Sequence, residues 1–92
     1  MTVPELARAL TQMYENAMDG DKATMVHLFG IRYADEIRRA GCNANDIIQQ
    51  AQLTDGSYMP ESYKTEISKG INLAEYVVDK KSLIDFINQK GH

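Results

Sequence analysis

Six glycines cut this chain into pieces too short for long helices or wide sheets: Gly20, Gly30, Gly41, Gly56, Gly70 and Gly91 each stand alone. Apolar residues recur at helical spacing between them, and a glycine at the end of such a run is the residue that most readily takes the left-handed conformation closing a helix. Each therefore reads as punctuation. The resulting pieces are helices from Val3 to about Met18, Lys22 to Phe29, Ile31 to Ala40, Asn43 to Leu53, Pro60 to Gly70 and Ser82 to Gln89. The predicted fold class is mainly α, a compact bundle of five or six short helices in a single domain over residues 1–92, with room for a small β-hairpin.

Local signals sharpen these pieces. Thr2, with Glu5 three residues later, forms a capping box, and Pro4 is tolerated where no donor is needed. Val3, Leu6, Leu10, Met13 and Ala17 then make one apolar seam, widened by Tyr14, which serves either the chain's own core or a homodimer formed through a second copy. Asp21 is placed to cap the helix after the Gly20 turn, and Asn43, with Asp46 in the first turn, caps the fourth. Ile31, Ala34 and Ile37 point inward with Arg32, Asp35, Glu36, Arg38 and Arg39 outward, and Asp35 with Arg39 makes a weak surface pair. Residues 24–31 and 71–78 fit helix or strand; helix is preferred for the first, with Gly30 ending it. Ile71, Leu73 and the run Tyr76-Val77-Val78 are expected to be mostly buried, and Leu83, Ile84, Phe86 and Ile87 give the last helix a broad apolar face.

Catalytic and cofactor chemistry finds no support. The isolated glycines form no nucleotide-binding fingerprint. A single cysteine, Cys42, excludes an intramolecular disulfide and a cysteine zinc cluster, and reads as a small structural residue. His27 among apolar neighbours reads as a core or boundary residue, and His92 at the terminus gives it no partner. The carboxylates fall on solvated faces. The chain is therefore expected to be no enzyme, with no cofactor and no small-molecule substrate. No stretch approaches the ~20 apolar residues of a membrane span, and with a single cysteine and no signal-like apolar segment after the first few residues a cytoplasmic setting is expected.

The segment Asn43 to Gly70 reads as a helix-turn-helix unit. Its first helix carries Ile47, Ile48 and Ala51 at helical spacing, Thr54 to Met59 is a run of turn formers, and the second helix turns Tyr63 and Ile67 inward. In such units the second helix offers small hydrogen-bonding and basic side chains to base edges and phosphates. Ser62, Lys64, Thr65, Ser68 and Lys69 meet that need on the helix, and Ser57 and Tyr58 reach out from the turn. Arg38 and Arg39, the densest basic spot in the first half, suit a phosphate contact and equally a helix C-terminal dipole. Against double-stranded DNA as a partner stand Glu61, Glu66, a net charge of -3 and a six-residue turn.

His27 to Ala34, Glu61 to Gly70 and Leu73 to Val77 together resemble the small prokaryotic HTH-like domain family of hypothetical proteins, over about residues 3–78. That family carries no assigned reaction and no binding residues to transfer. The resemblance implies a helix-turn-helix-like domain and, with the residues above, a small DNA-binding regulator or accessory factor. A helical protein-interaction module without nucleic-acid binding is the competing reading.

Overall fold

The computed structural model describes residues 1–77 and 80–90, the last segment without the side chains of residues 82, 83, 86, 89 and 90. Helix α1 spans Val3–Asn16 and begins with the expected capping box: the Glu5 amide donates to Thr2 Oγ1 at 3.3 Å, and the Thr2 amide donates to the Glu5 carboxylate at 2.9 Å. The helix stops short of Met18, which is 76% exposed. Asp21 stands at the next cap position but contributes only its carbonyl, to the Met25 amide. Lys22 closes the α1 to α2 turn, its Nζ donating to the Tyr14 carbonyl at 2.9 Å and lying 4.6 Å from the Tyr14 ring centre.

The expected break at Gly30 does not occur. Helix α2 is one continuous helix, Lys22–Ala40, and ends at Gly41 in the left-handed conformation. Residues 24–31 are thus helical. Helix α3, Ala44–Gln49, carries a second capping box, in which Asn43 and Asp46 each donate a backbone amide to the other's side chain at 3.0 Å. It is shorter than expected because the chain turns at Gln50 into a loop pinched by an antiparallel bridge between Gln52 and Tyr58. The Leu53 amide donates to the Ser57 carbonyl at 2.7 Å and the Met59 amide to the Ala51 carbonyl at 3.0 Å. Met59, expected among the turn formers, is buried. A 3-10 turn, η1 (Glu61–Tyr63), follows Pro60, so helix α4, Lys64–Leu73, starts later than Pro60 and passes through Gly70. Helix α5 is Lys80–Lys90.

Helices α1 to α4 form a compact all-α globule, and among the described residues there is no β-strand. Leu6, Leu10, Val26, Phe29, Ile47, Ile48 and Ile67 are its fully buried large side chains. Each contributes roughly 1.5–3 kcal/mol relative to exposure. Tyr14 meets Tyr63 edge to face at 5.3 Å, and Phe29 lies 5.1 Å from Tyr33. Arg32, expected outward, is half-buried, with its guanidinium donating to Met13 Sδ at 3.8 Å.

Gly30 and Gly70 explain why two expected terminators sit inside helices. They face each other where α2 crosses α4. A Cβ on Gly30 would overlap the Ile67 carbonyl oxygen and approach the Gly70 Cα to 3.0 Å; one on Gly70 would overlap the His27 carbonyl oxygen and approach the Gly30 Cα to 3.0 Å. Backbone lies on backbone, a distance that any side chain forbids. The roughly 1 kcal/mol that glycine costs inside each helix is offset by this close packing. As a result α4 packs chiefly on α2 rather than on α3.

Beyond the crossing the burial expected of the apolar run fails. Ile71 packs on the core, but Leu73, Tyr76 and Val77 are exposed, Tyr76 to 81%. Ile84 and Ile87 on α5, expected on a core-facing side, are about half exposed at 45% and 54%. Val78 falls outside the described residues, as do the side chains of Leu83 and Phe86. Among the described residues no helix is long and apolar enough to cross a membrane.

Candidate nucleic-acid interface

Helix α4 has two chemically distinct faces because its inner positions are spent on packing. Ile67 and Gly70 are buried and Tyr63 and Ile71 partly so. Helical spacing then turns Lys64, Thr65, Ser68, Lys69 and Asn72 outward, and all five are exposed. Glu66 sits at the edge of the inner face, half-buried, with one carboxylate oxygen 3.4 Å from His27 Nδ1 and the other 3.6 Å from Lys69 Nζ. Thus one of the two glutamates that count against an anionic partner is folded against α2; Glu61 stays exposed in η1.

The start of α3 completes the site. Asn43, Ala44 and Asn45 line a shallow groove of about 400 Å³ together with Lys64, Thr65 and Ser68. No carboxylate lines it. Lys64 has no ion pair among the described residues, so its charge is available to a ligand. The side-chain oxygen of Asn43 is committed to the Asp46 amide, which leaves Asn45 as the freer of the two asparagines, although it shares a 3.4 Å hydrogen bond with Gln49.

The other sequence candidates lie elsewhere. Lys69 shares Glu66. Arg38 pairs with Asp35 at 3.3 Å and Arg39 with Glu36 at 3.1 Å, each three residues apart, in place of the expected Asp35 with Arg39. Glu36 also takes the N-terminal ammonium at 3.2 Å. Ser57 is turned into its own loop, its amide and hydroxyl donating to Asp55 at 2.9 and 2.6 Å. These two bonds, the hydroxyl's foremost, hold the Asp55 carboxyl below its ordinary range. Tyr58 and Ser62 are exposed outside the groove. The groove therefore gathers three of the nine candidates, Lys64, Thr65 and Ser68. It adds Asn43 and Asn45, which read in the sequence as cap and helix start, while Asn72, four residues beyond Ser68 and seven beyond Thr65, extends the outward stripe.

Among the described residues no group of three or more His, Cys, Asp or Glu is placed to hold a metal ion. Burial, with Asp46 nearby, pushes the Cys42 thiol up, and its Sγ lies 3.8 Å from the Ile37 carbonyl, which keeps it a protonated packing residue. His27 Nε2 is buried with no hydrogen-bond partner among the described residues.

A family model described as an HTH-like domain matches residues 2–80. The chain belongs to the HTH-like domain family. That match takes in α1 to α4 of this HTH-like domain and reaches only the first residue of α5. No curated protein and no solved structure matches the chain at a significant level.

Proposed function

We propose that this HTH-like domain binds duplex DNA, laying the outward face of α4 against a groove, and acts as a small cytoplasmic regulator or accessory factor with no catalytic role and no cofactor. The observation that carries this reading is the groove at the α3 and α4 junction, lined by no acidic residue, where Lys64, with no ion pair among the described residues, stands beside Thr65, Ser68, Asn43 and Asn45. Small hydrogen-bonding side chains with one available cation suit phosphate and base-edge contact, and the family's helix-turn-helix-like character agrees with it. Ser57, Tyr58, Ser62, Lys69, Arg38 and Arg39 contribute at most peripheral contacts, since Lys69 and the two arginines already hold carboxylates. Fluorescence anisotropy with mixed-sequence duplex DNA tests the reading: binding that weakens steeply with added salt supports it, and no binding near 50 mM salt overturns it.

A second reading, a protein-docking module without nucleic-acid binding, is favoured by one observation. Leu73, Tyr76, Val77, Ile84 and Ile87 leave large apolar side chains exposed. A homodimer through the α1 seam has less to offer, because Leu6 and Leu10 are spent on the chain's own core, leaving the half-buried Val3, Met13 and Ala17. Sedimentation across a concentration range distinguishes a self-associating chain from a monomer.

A further inference from the structure

Helix α3 is flanked by two polar clefts. One is the groove containing Lys64. The other, about 260 Å³, lies where α1 passes the residues just after α3, and is lined by Pro4, Ala7, Arg8, Thr11, Gln50 and Gln52. No lining residue of either cleft is acidic, in a chain with 13 acidic residues and a net charge of -3. Arg8 also differs from the other arginines. Arg38 and Arg39 each hold a carboxylate and Arg32 is packed on Met13, whereas Arg8 is exposed with no ion pair among the described residues. The carboxylate one turn before it, Glu5, is held by Thr2 in the capping box and meets Arg8 through charge alone, without an ion pair. Thr11 is buried at the cleft, its hydroxyl donating to the Arg8 carbonyl at 2.9 Å, and Gln52 is tied to the Gly56 carbonyl at 3.0 Å. Arg8 and the exposed Gln50 are thereby left as the cleft's available donors.

We propose that the Arg8 cleft is a second contact for the phosphate backbone of duplex DNA, so that the domain grips the duplex at both ends of α3. The inference rests on the DNA-binding reading above and extends it to α1. The geometry suits the ligand. The two clefts lie beside opposite ends of α3, a helix of six residues that spans ~9 Å, short enough for one duplex to reach both.

Anisotropy titrations of duplex DNA with the full chain and its Arg8→Ala, Arg8→Lys, Lys64→Ala and Arg38→Ala variants test it. Arg8→Ala should weaken binding about threefold to tenfold near 50 mM salt, equally for unrelated duplex sequences, and lower the salt slope by about 1. Arg8→Lys should recover most of the loss, and Arg38→Ala should change little. If Lys64→Ala weakens binding and Arg8→Ala does not, the Arg8 contact is wrong and the DNA reading stands. If Arg8→Lys is as weak as Arg8→Ala, or the loss is confined to one sequence, the phosphate assignment fails. If the unmodified chain binds no duplex, the DNA reading fails and this inference with it.

Discussion

The two sides of α4 solve opposite problems. On its inner side, Gly70 meets Gly30 with no side chain between the backbones, and Ile67 is wholly buried. On its outer side, Lys64, Thr65 and Ser68 are exposed and border an open groove. The inner side tolerates no added atom; the outer side tolerates almost any. Stability and the proposed binding are therefore separable on one ten-residue helix, and variants on each side should change one property and spare the other.

The largest expected effect is at the crossing. Gly30→Ala places a methyl against the Ile67 carbonyl, and a carbonyl inside a helix cannot step aside as a flexible side chain can. The ~1 kcal/mol gain in helix propensity is outweighed by overpacking, for a net loss of about 2 kcal/mol, with Gly70→Ala alike. Urea denaturation of each variant checks this. If either alanine stabilises the chain, the close approach is not what holds the crossing, and the two glycines return to being ordinary weak points. The capping boxes come next: Asn43→Ala and Thr2→Ala should each cost about 1 kcal/mol in the same measurement.

A smaller effect is expected on the outer face. Lys64→Ala should leave the unfolding midpoint within about 0.5 kcal/mol of the unmodified chain and weaken duplex binding about threefold to tenfold. Lys69→Ala should weaken it less, since Lys69 already shares Glu66. A Lys64→Ala variant that unfolds more easily would erase the distinction between the two faces.

The capping boxes are legible in the chain because each is a local pattern, Thr2 with Glu5 and Asn43 with Asp46, that needs no tertiary partner. The inward Leu6, Leu10, Ile37, Ile47 and Ile67 are legible for the same reason, since helical spacing alone picks their face. Glycine is where local reasoning fails. Gly41 ends a helix as expected, yet Gly30 and Gly70 look the same letter by letter, and only the partner 40 residues away gives them their role. One signal was present: each is followed four residues later by alanine, Ala34 and Ala74, a small-residue spacing that suits close helix approach. Met59 was masked by its turn-forming neighbours. The groove was legible from α4, but Asn43 and Asn45 join it through the packing of α3 against α4, which lies outside any local pattern.

The smallest effect separates the crossing from the chain's acid-sensitive edges. Glu5 is held below its ordinary range chiefly by the Thr2 amide and then the Thr2 hydroxyl, and Asp55 by the Ser57 hydroxyl and then the Ser57 amide. A carboxyl whose folded value is depressed contributes stability that is fully present above its unfolded value of about 4 and is lost as pH falls through the folded one. Acidification below about 4 should therefore loosen the start of α1 and the loop tip first. Amide exchange read by NMR should show protection at the Thr2 and Ser57 amides falling as the pH drops below about 4, while the helical amides of Gly30 and Gly70 keep theirs. Asp55→Asn should remove the loop's share of that dependence and leave the part at Glu5. Equal loss at all four amides would mean that the edges and the crossing open together as one cooperative unit.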